Sequence, residues 1–286
     1  MTVPIALATT MAPAWAGTLF FAVGFNGEFT HIDSELGQVA PTGTSNVGRL
    51  QALATSTDGS FYTVKYASVS PGGLYSIDPW TGEATWLFQG GHLYPIRGMA
   101  MSPGGSLYVT ETPFAGEQYL GVLDVSDGSY QRINRVRGGL FDQADGLDFS
   151  PSGVLYGTAG GQLYTINPST ARLSVVGTGD RVVNVTFSIA FTPEGRLFAV
   201  GRDFDEDQTP VFVEIDPLTG LRIRETFPLD GDYRGLALVP EPTAALLGIA
   251  GVGVPSAAYR LRRTSAGPSL LRRGVGCETI VRCRHP

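Results

Sequence analysis

Apolar residues recur along the chain at alternate positions in short runs, and each run stops at a cluster of turn residues instead of continuing with helical spacing. One such stretch reads Gly98-Met99-Ala100-Met101, then Ser102-Pro103-Gly104-Gly105, then Ser106-Leu107-Tyr108-Val109. It returns as Gly146-Leu147-Asp148-Phe149 with Ser150-Pro151-Ser152-Gly153 and Val154-Leu155-Tyr156, and as Ile189-Ala190-Phe191 with Thr192-Pro193-Glu194-Gly195 and Arg196-Leu197-Phe198. A looser copy runs from Leu53 to Tyr62. The apolar-aromatic pairs begin at Leu19, Phe61, Leu107, Leu155 and Leu197, spaced by 42, 46, 48 and 42 residues.

A second signature lies between those pairs: Leu74-Tyr75-Ser76-Ile77-Asp78-Pro79-Trp80-Thr81-Gly82, Leu163-Tyr164-Thr165-Ile166-Asn167-Pro168, and Val213-Glu214-Ile215-Asp216-Pro217-Leu218-Thr219-Gly220. Its chemistry is that of a hairpin turn, in which Asp or Asn bonds forward to the backbone, Pro presets the next φ, and Gly takes the left-handed position. Each unit therefore predicts four short strands, and a four-stranded period of 40–50 residues is the signature of a β-propeller blade. The phase of the repeat adds a constraint. The chain begins with Leu19-Phe20-Phe21-Ala22-Val23, a second strand, and the repeats end with Arg234-Gly235-Leu236-Ala237-Leu238, a first strand. The expected fold is an all-β, five-bladed propeller of four antiparallel strands per blade, closed by pairing these terminal strands. The alternative is a truncated seven-bladed chain that stays open or dimerises.

Composition agrees with a turn-rich globular protein: 38 Gly and 19 Pro among 286 residues, with 43% apolar and 16% charged side chains. Charge is unevenly placed. Residues 260–286 carry seven arginines against Glu278, so the rest of the chain holds 13 basic and 25 acidic side chains. An acidic body repels phosphate backbones, so nucleic acid is not an expected partner.

Both ends read as targeting segments. Residues 1–16 are small and apolar, and Ala14-Trp15-Ala16 has the small-x-small form that signal peptidase accepts. At the other end Pro240-Glu241-Pro242 precedes an apolar run from Ala244 to Tyr259 and the cluster Arg260-Leu261-Arg262-Arg263. This order resembles the PEP-CTERM sorting signal of Gram-negative bacteria, which implies a short hydrophobic helix, transient anchoring in the inner membrane, an exosortase-like processing enzyme, and a destination at the cell surface or beyond, with an association with exopolysaccharide. The spelling of the repeats over residues 18–239 resembles exported propellers of the NHL and SMP-30-like kind. The resulting map is 1–16 signal-like, 17–239 propeller, 240–263 sorting segment and 264–286 irregular tail. Cys277 and Cys283 both lie beyond the arginines, so neither a disulfide framework nor a cysteine nucleophile is expected in the body.

Candidate chemistry is sparse. His31 and His92 occupy no equivalent repeat position, no glycine-rich loop opens a helix, and Asp203-Phe204-Asp205-Glu206-Asp207 reads as a solvated acidic loop, so neither metal nor cofactor is expected. Alignment of the five first strands places Gln51, Arg97, Asp145, Phe187 and Arg234 at one position, ahead of the small residues Ala52, Gly98, Gly146, Ser188 and Gly235. Two steps further on, Ala54, Ala100, Ala190 and Ala237 are matched by Asp148 in the third copy. A carboxylate in place of a buried Ala needs a partner; Arg97 is the expected one, with Asp145 and Arg234 completing a charged ring and Gln51 beside it. These five polar residues form the candidate ligand-binding set, with no catalytic residue assigned. Two functional classes remain: a non-catalytic exported module that binds a surface glycan or protein, and a hydrolase or lyase acting on extracellular carbohydrate or a lactone through channel-facing carboxylates.

Overall fold

The computed structural model describes residues 18–66, 73–89, 95–113, 116–139 and 142–240. The signal-like residues 1–16, His92, the Glu241-Pro242 part of the sorting motif, the expected hydrophobic helix with Arg260, Arg262 and Arg263, and both cysteines lie outside them. Among the described residues no helix is long and apolar enough to cross a membrane.

The described residues form twenty strands in five four-stranded antiparallel sheets. The chain first lays down β1 (Leu19–Gly24), β2 (Glu28–Asp33) and β3 (Gln38–Thr44), which wait for a fourth strand. Four complete blades follow. Blade one holds β4 (Leu50–Thr55), β5 (Phe61–Lys65), β6 (Gly73–Ile77) and β7 (Ala84–Gln89). Blade two holds β8 (Ile96–Met101), β9 (Leu107–Glu111), β10 (Tyr119–Leu123) and β11 (Tyr130–Arg135). Blade three holds β12 (Leu147–Phe149), β13 (Leu155–Ala159), β14 (Gln162–Ile166) and β15 (Leu173–Val175). Blade four holds β16 (Val185–Phe191), β17 (Leu197–Arg202), β18 (Pro210–Ile215) and β19 (Arg222–Pro228). Finally β20 (Tyr233–Leu238) returns to β1 and completes blade five, with Phe20 opposite Leu238, Phe21 opposite Ala237, Ala22 opposite Leu236 and Val23 opposite Gly235. The amide of Val239 extends this ladder to the carbonyl of Leu19 at 2.9 Å. Closure of this kind gives both terminal strands partners and leaves neither as an inner edge.

The hairpin turns form as their residue types demand. Asp78 Oδ1 accepts from the amides of Trp80 and Thr81 at 2.8 Å, and Gly82 closes the turn at φ 69°. The Asn167 copy in blade three lacks that glycine, and Ala171 takes the left-handed conformation instead, at φ 56°. In the other turn type, the Ser106 amide donates to Ser102 Oγ at 2.9 Å and Gly105 supplies φ 83°.

The apolar core lies between blades, in five clusters that each join two neighbours around the ring. Leu53, Met99, Leu147, Ile189 and Leu236, equivalent in the five innermost strands, are all buried. The cluster between blades four and five is the most aromatic: Phe20 meets Phe198 at 4.9 Å and Phe212 at 5.5 Å. Where the innermost strands begin, neighbouring backbones approach so closely that only small residues fit. A Cβ on Gly98 would stand 2.1 Å from the Asp145 carbonyl oxygen, and one on Gly235 would stand 2.8 Å from Leu53 Cβ.

This contact generates a test. Gly98→Ala forces two backbones apart and is expected to destabilise the protein by about 1–3 kcal/mol, as overpacking does. Gly104→Ala in the same blade, where the nearest atom to a new Cβ is Ser102 Oγ at 3.9 Å, is expected to stay within about 0.5 kcal/mol of the parent. Urea unfolding midpoints of the two variants, compared at equal m-value, check the difference.

Candidate functional site

Each innermost strand begins with a departure from regular pairing. In β8, Ile96 opposes Glu111 and Gly98 opposes Thr110, so Arg97 has no partner across the ladder. Phe187 is skipped in the same way in β16, and Arg234 in β20. In blade three the Asp145 amide donates to the Thr158 carbonyl at 2.7 Å while the Gly146 amide reaches Thr158 Oγ1 at 3.2 Å, so two residues face one. A bulge releases its extra side chain from the in-out alternation and re-aims it. Arg97, Asp145, Phe187 and Arg234 are thus turned toward one mouth of the channel by backbone irregularities, which in blades two and three a threonine of the second strand stabilises, as Thr110 Oγ1 does by accepting from Gly98 N at 2.9 Å and donating to Ala144 O at 2.8 Å. Gln51 departs from the set. In β4 the skipped residue is Ala52, at φ 57°; Gln51 keeps its pairing with Val64, is buried, and shares no side-chain hydrogen bond with Arg97, Asp145 or Arg234 among the described residues.

This mouth is basic. Burial pushes the Asp145 carboxyl up, and the guanidiniums of Arg97 and Arg234 pull it back down. Arg234 Nη2 donates to Asp232 Oδ2 at 2.7 Å, and Arg202 Nη2 reaches the same oxygen at 3.2 Å. The Arg234 guanidinium also lies 3.8 Å from the centroid of Phe187 and 5.3 Å from that of Phe25. Arg202, Asp232 and Phe25 stand at strand ends that carry no repeat signature, so the sequence offers no positional signal for them.

The other mouth is apolar. The innermost strands end there, three of them in Ser/Thr-Pro turns, around a cavity of about 360 Å³ lined by residues that include Leu53, Met101, Ile189, Leu236 and Pro240. Asp148 is the one ionisable side chain in that lining among the described residues. Its expected ion pair with Arg97 does not form. Asp148 Oδ1 accepts from its neighbour's amide, Phe149 N, at 2.8 Å, and Oδ2 accepts from Phe191 N of the next blade at 2.6 Å. The reason is distance along the strand: Asp148 lies three residues beyond Asp145, about 10 Å at ordinary strand rise, while the bulge aims Arg97 at the opposite mouth. The candidate set therefore divides into a basic group, Arg97, Asp145 and Arg234, and a separate carboxyl, Asp148. Burial drives the Asp148 pKa from 3.8 to about 7, against the two amides, which lower it. What exposure the side chain keeps opens into the cavity.

The remaining candidates have local explanations. His31 is buried and stacks on Trp80 of the adjacent blade at 4.8 Å, and desolvation lowers its pKa to about 4. In the acidic run, Asp205 accepts from the amide and hydroxyl of Thr209, and Asp203 pairs with Arg222 at 3.3 Å. No group of three or more metal-ligating side chains occurs among the described residues.

The chain is similar in fold to TolB from Acinetobacter baumannii, with a TM-score of 0.51 and 15% identity over 80% of this chain and 68% of that one. A chain of a nidogen/laminin complex gives a TM-score of 0.50 and 13% identity over 78% of this chain and 98% of that one. Identities this low establish a shared fold and nothing about ligand or activity. No protein-family model and no curated protein matches the chain.

The two perturbed groups give opposite pH dependences. Asp148 binds its proton more tightly in the folded state, so its contribution to stability is full below pH 3.8 and is lost as the pH rises to about 7. His31 binds its proton less tightly when folded, so its contribution is lost as the pH falls from 6.5 to about 4. The difference between the parent and Asp148→Asn isolates the carboxyl. Relative to the variant, the parent is expected to lose about 1–3 kcal/mol between pH 4 and 7, below the roughly 4 kcal/mol limit of full linkage because the exposure the side chain keeps lets solvent screen the charge. Urea unfolding at a series of pH values measures it, and a flat difference would contradict the assignment.

Proposed function

We propose that this chain is an exported, non-catalytic propeller that serves as a binding or scaffold module at the surface of a Gram-negative cell or outside it, and that an exosortase-like enzyme processes it at its C-terminal sorting segment. The observation that carries the non-catalytic reading is the lone carboxyl of the apolar mouth. Glycoside hydrolysis uses a pair of carboxyl groups about 5–10 Å apart, one as acid and the other as nucleophile or base. Asp148 lines its cavity without a second acid among the described residues, and both of its oxygens are held by backbone amides. The ligand in this reading is a surface glycan or protein received at the channel.

Support for processing comes from where the blades end. The last strand, β20, stops at Leu238, and Val239 makes the final ladder bond before Pro240. Cleavage beyond Pro240 would remove the sorting segment and leave all twenty strands in place. Loss of residues 1–16 would likewise spare β1.

The second reading, a carbohydrate- or lactone-acting hydrolase or lyase, draws on one observation: a carboxyl titrating near pH 7 suits a general acid. A glycan array and a hydrolysis screen on the parent and on Asp148→Ala separate the two. Saturable glycan binding without turnover is the expected result, and turnover abolished by Asp148→Ala would establish the enzyme instead. Processing has its own test. Mass spectrometry of the protein from its native host is expected to find neither residues 1–16 nor residues 264–286 on the mature form, and recovery of both would overturn the export reading.

A further inference from the structure

The basic mouth of the channel is not used by the reading above, and its chemistry does not depend on export. Four guanidiniums meet there. Arg49 and Arg234 both lie over the ring of Phe25, at 5.2 and 5.3 Å, and Arg234 and Arg202 both lie over Phe187, at 3.8 and 5.9 Å. Arg97 and Arg234 both act on Asp145. Two carboxylates, Asp145 and Asp232, stand against these four cations, and Asp232 already receives both Arg202 and Arg234.

The cluster does not satisfy itself. Arg49 and Arg97 are exposed and take part in no salt bridge among the described residues. Behind them Arg202 Nε, Arg234 Nε and Asp232 Oδ1 are buried without a hydrogen-bond partner among the described residues. Of the other acids on this face, Asp203 pairs with Arg222, Asp205 accepts from Thr209 and Asp230 accepts from the Tyr233 hydroxyl, while Glu28 acts on Tyr233 only through its charge. The mouth thus keeps a local surplus of positive charge on a body whose acids outnumber its bases by 25 to 13. Such a body repels an extended polyanion and leaves the mouth open to a compact one.

We propose that the basic mouth binds a small dicarboxylate, with one carboxylate on Arg49 and the other on Arg97. A guanidinium presents a planar fork that pairs bidentately with carboxylate or phosphate oxygens. The two forks that make no salt bridge among the described residues belong to different blades, Arg49 just before β4 and Arg97 in β8. Two separate seats favour two separated anionic groups over a single tetrahedral one. Phe25 and Phe187 hold Arg234 and Arg202 behind these seats, where their charge adds to the field without needing direct contact.

Calorimetric titration of the full chain at low ionic strength with succinate, glutarate and adipate, and separately with inorganic phosphate and sulfate, tests the proposal. At least one dicarboxylate is expected to bind with one-to-one stoichiometry and more tightly than either inorganic anion, and to weaken on adding salt. Arg49→Gln and Arg97→Gln are each expected to lower that affinity by about tenfold or more, with unchanged melting temperatures because both side chains are exposed. Arg224→Gln, an exposed arginine on the outermost strand of blade four, is expected to leave it unchanged. Absence of saturable dicarboxylate binding, tighter binding of phosphate or sulfate, or undiminished affinity in the double variant R49Q/R97Q would each overturn it.

Discussion

The antiparallel pairing of β20 with β1 is the contact on which the rest of this structure depends. Those two strands lie at opposite ends of the described chain, and blade five exists only when they meet. Their side chains supply two of the five inter-blade clusters: Phe20, Ala22 and Leu236 face blade four, while Phe21, Val23 and Ala237 face blade one. One ladder therefore supports two interfaces. Bringing its strands together costs closure entropy that grows only slowly with loop length, and the apolar area buried on both sides of the blade offsets that cost.

Ring closure also sets the character of the channel. Five innermost strands can converge only where a small residue stands near the start of each, as Gly98 against the Asp145 carbonyl shows most tightly. The bulges that accompany this approach turn Arg97, Phe187 and Arg234 toward one mouth, whereas the regular ends of the same strands carry apolar residues and rigid Ser/Thr-Pro turns to the other. A single repeated strand thus builds two unlike surfaces, one charged and one apolar. Their separation is a consequence of where the pairing is irregular.

Buried ionisable groups are accommodated in two ways. His31 gives up its charge and stacks on Trp80, and so joins two blades as an aromatic contact. Asp148 keeps a polar role by accepting amides from its own blade and from the next, which likewise joins two blades but leaves a proton that titrates within the physiological range. The non-catalytic reading rests on that second arrangement: both oxygens of the carboxyl are held by amides, and no second acid among the described residues lines its cavity.

The fold was legible in the sequence because propeller blades are local. A period of 42 to 48 residues, Asx turns such as Asp78 to Gly82, and the phase difference between Leu19 and Leu236 depend on neighbours within a few positions, so strand order, blade number and the closing pair could all be read from them. Buried Leu53, Met99, Leu147, Ile189 and Leu236 follow from the same alternation. The site was legible only in part. Aligning the repeats put Arg97, Asp145 and Arg234 at one position, and in the structure both guanidiniums act on the Asp145 carboxyl; the same alignment misplaced Gln51, because the bulge in β4 falls one residue later, and misassigned the partner of Asp148. Arg49, Arg202 and Asp232 were invisible, since residues at strand ends in three different blades are brought together only by closing the ring. Turn chemistry and hydrophobic period are properties of neighbouring residues and are written in the chain. The meeting of charges across a channel is a property of the whole ring, and only the tertiary structure decides it.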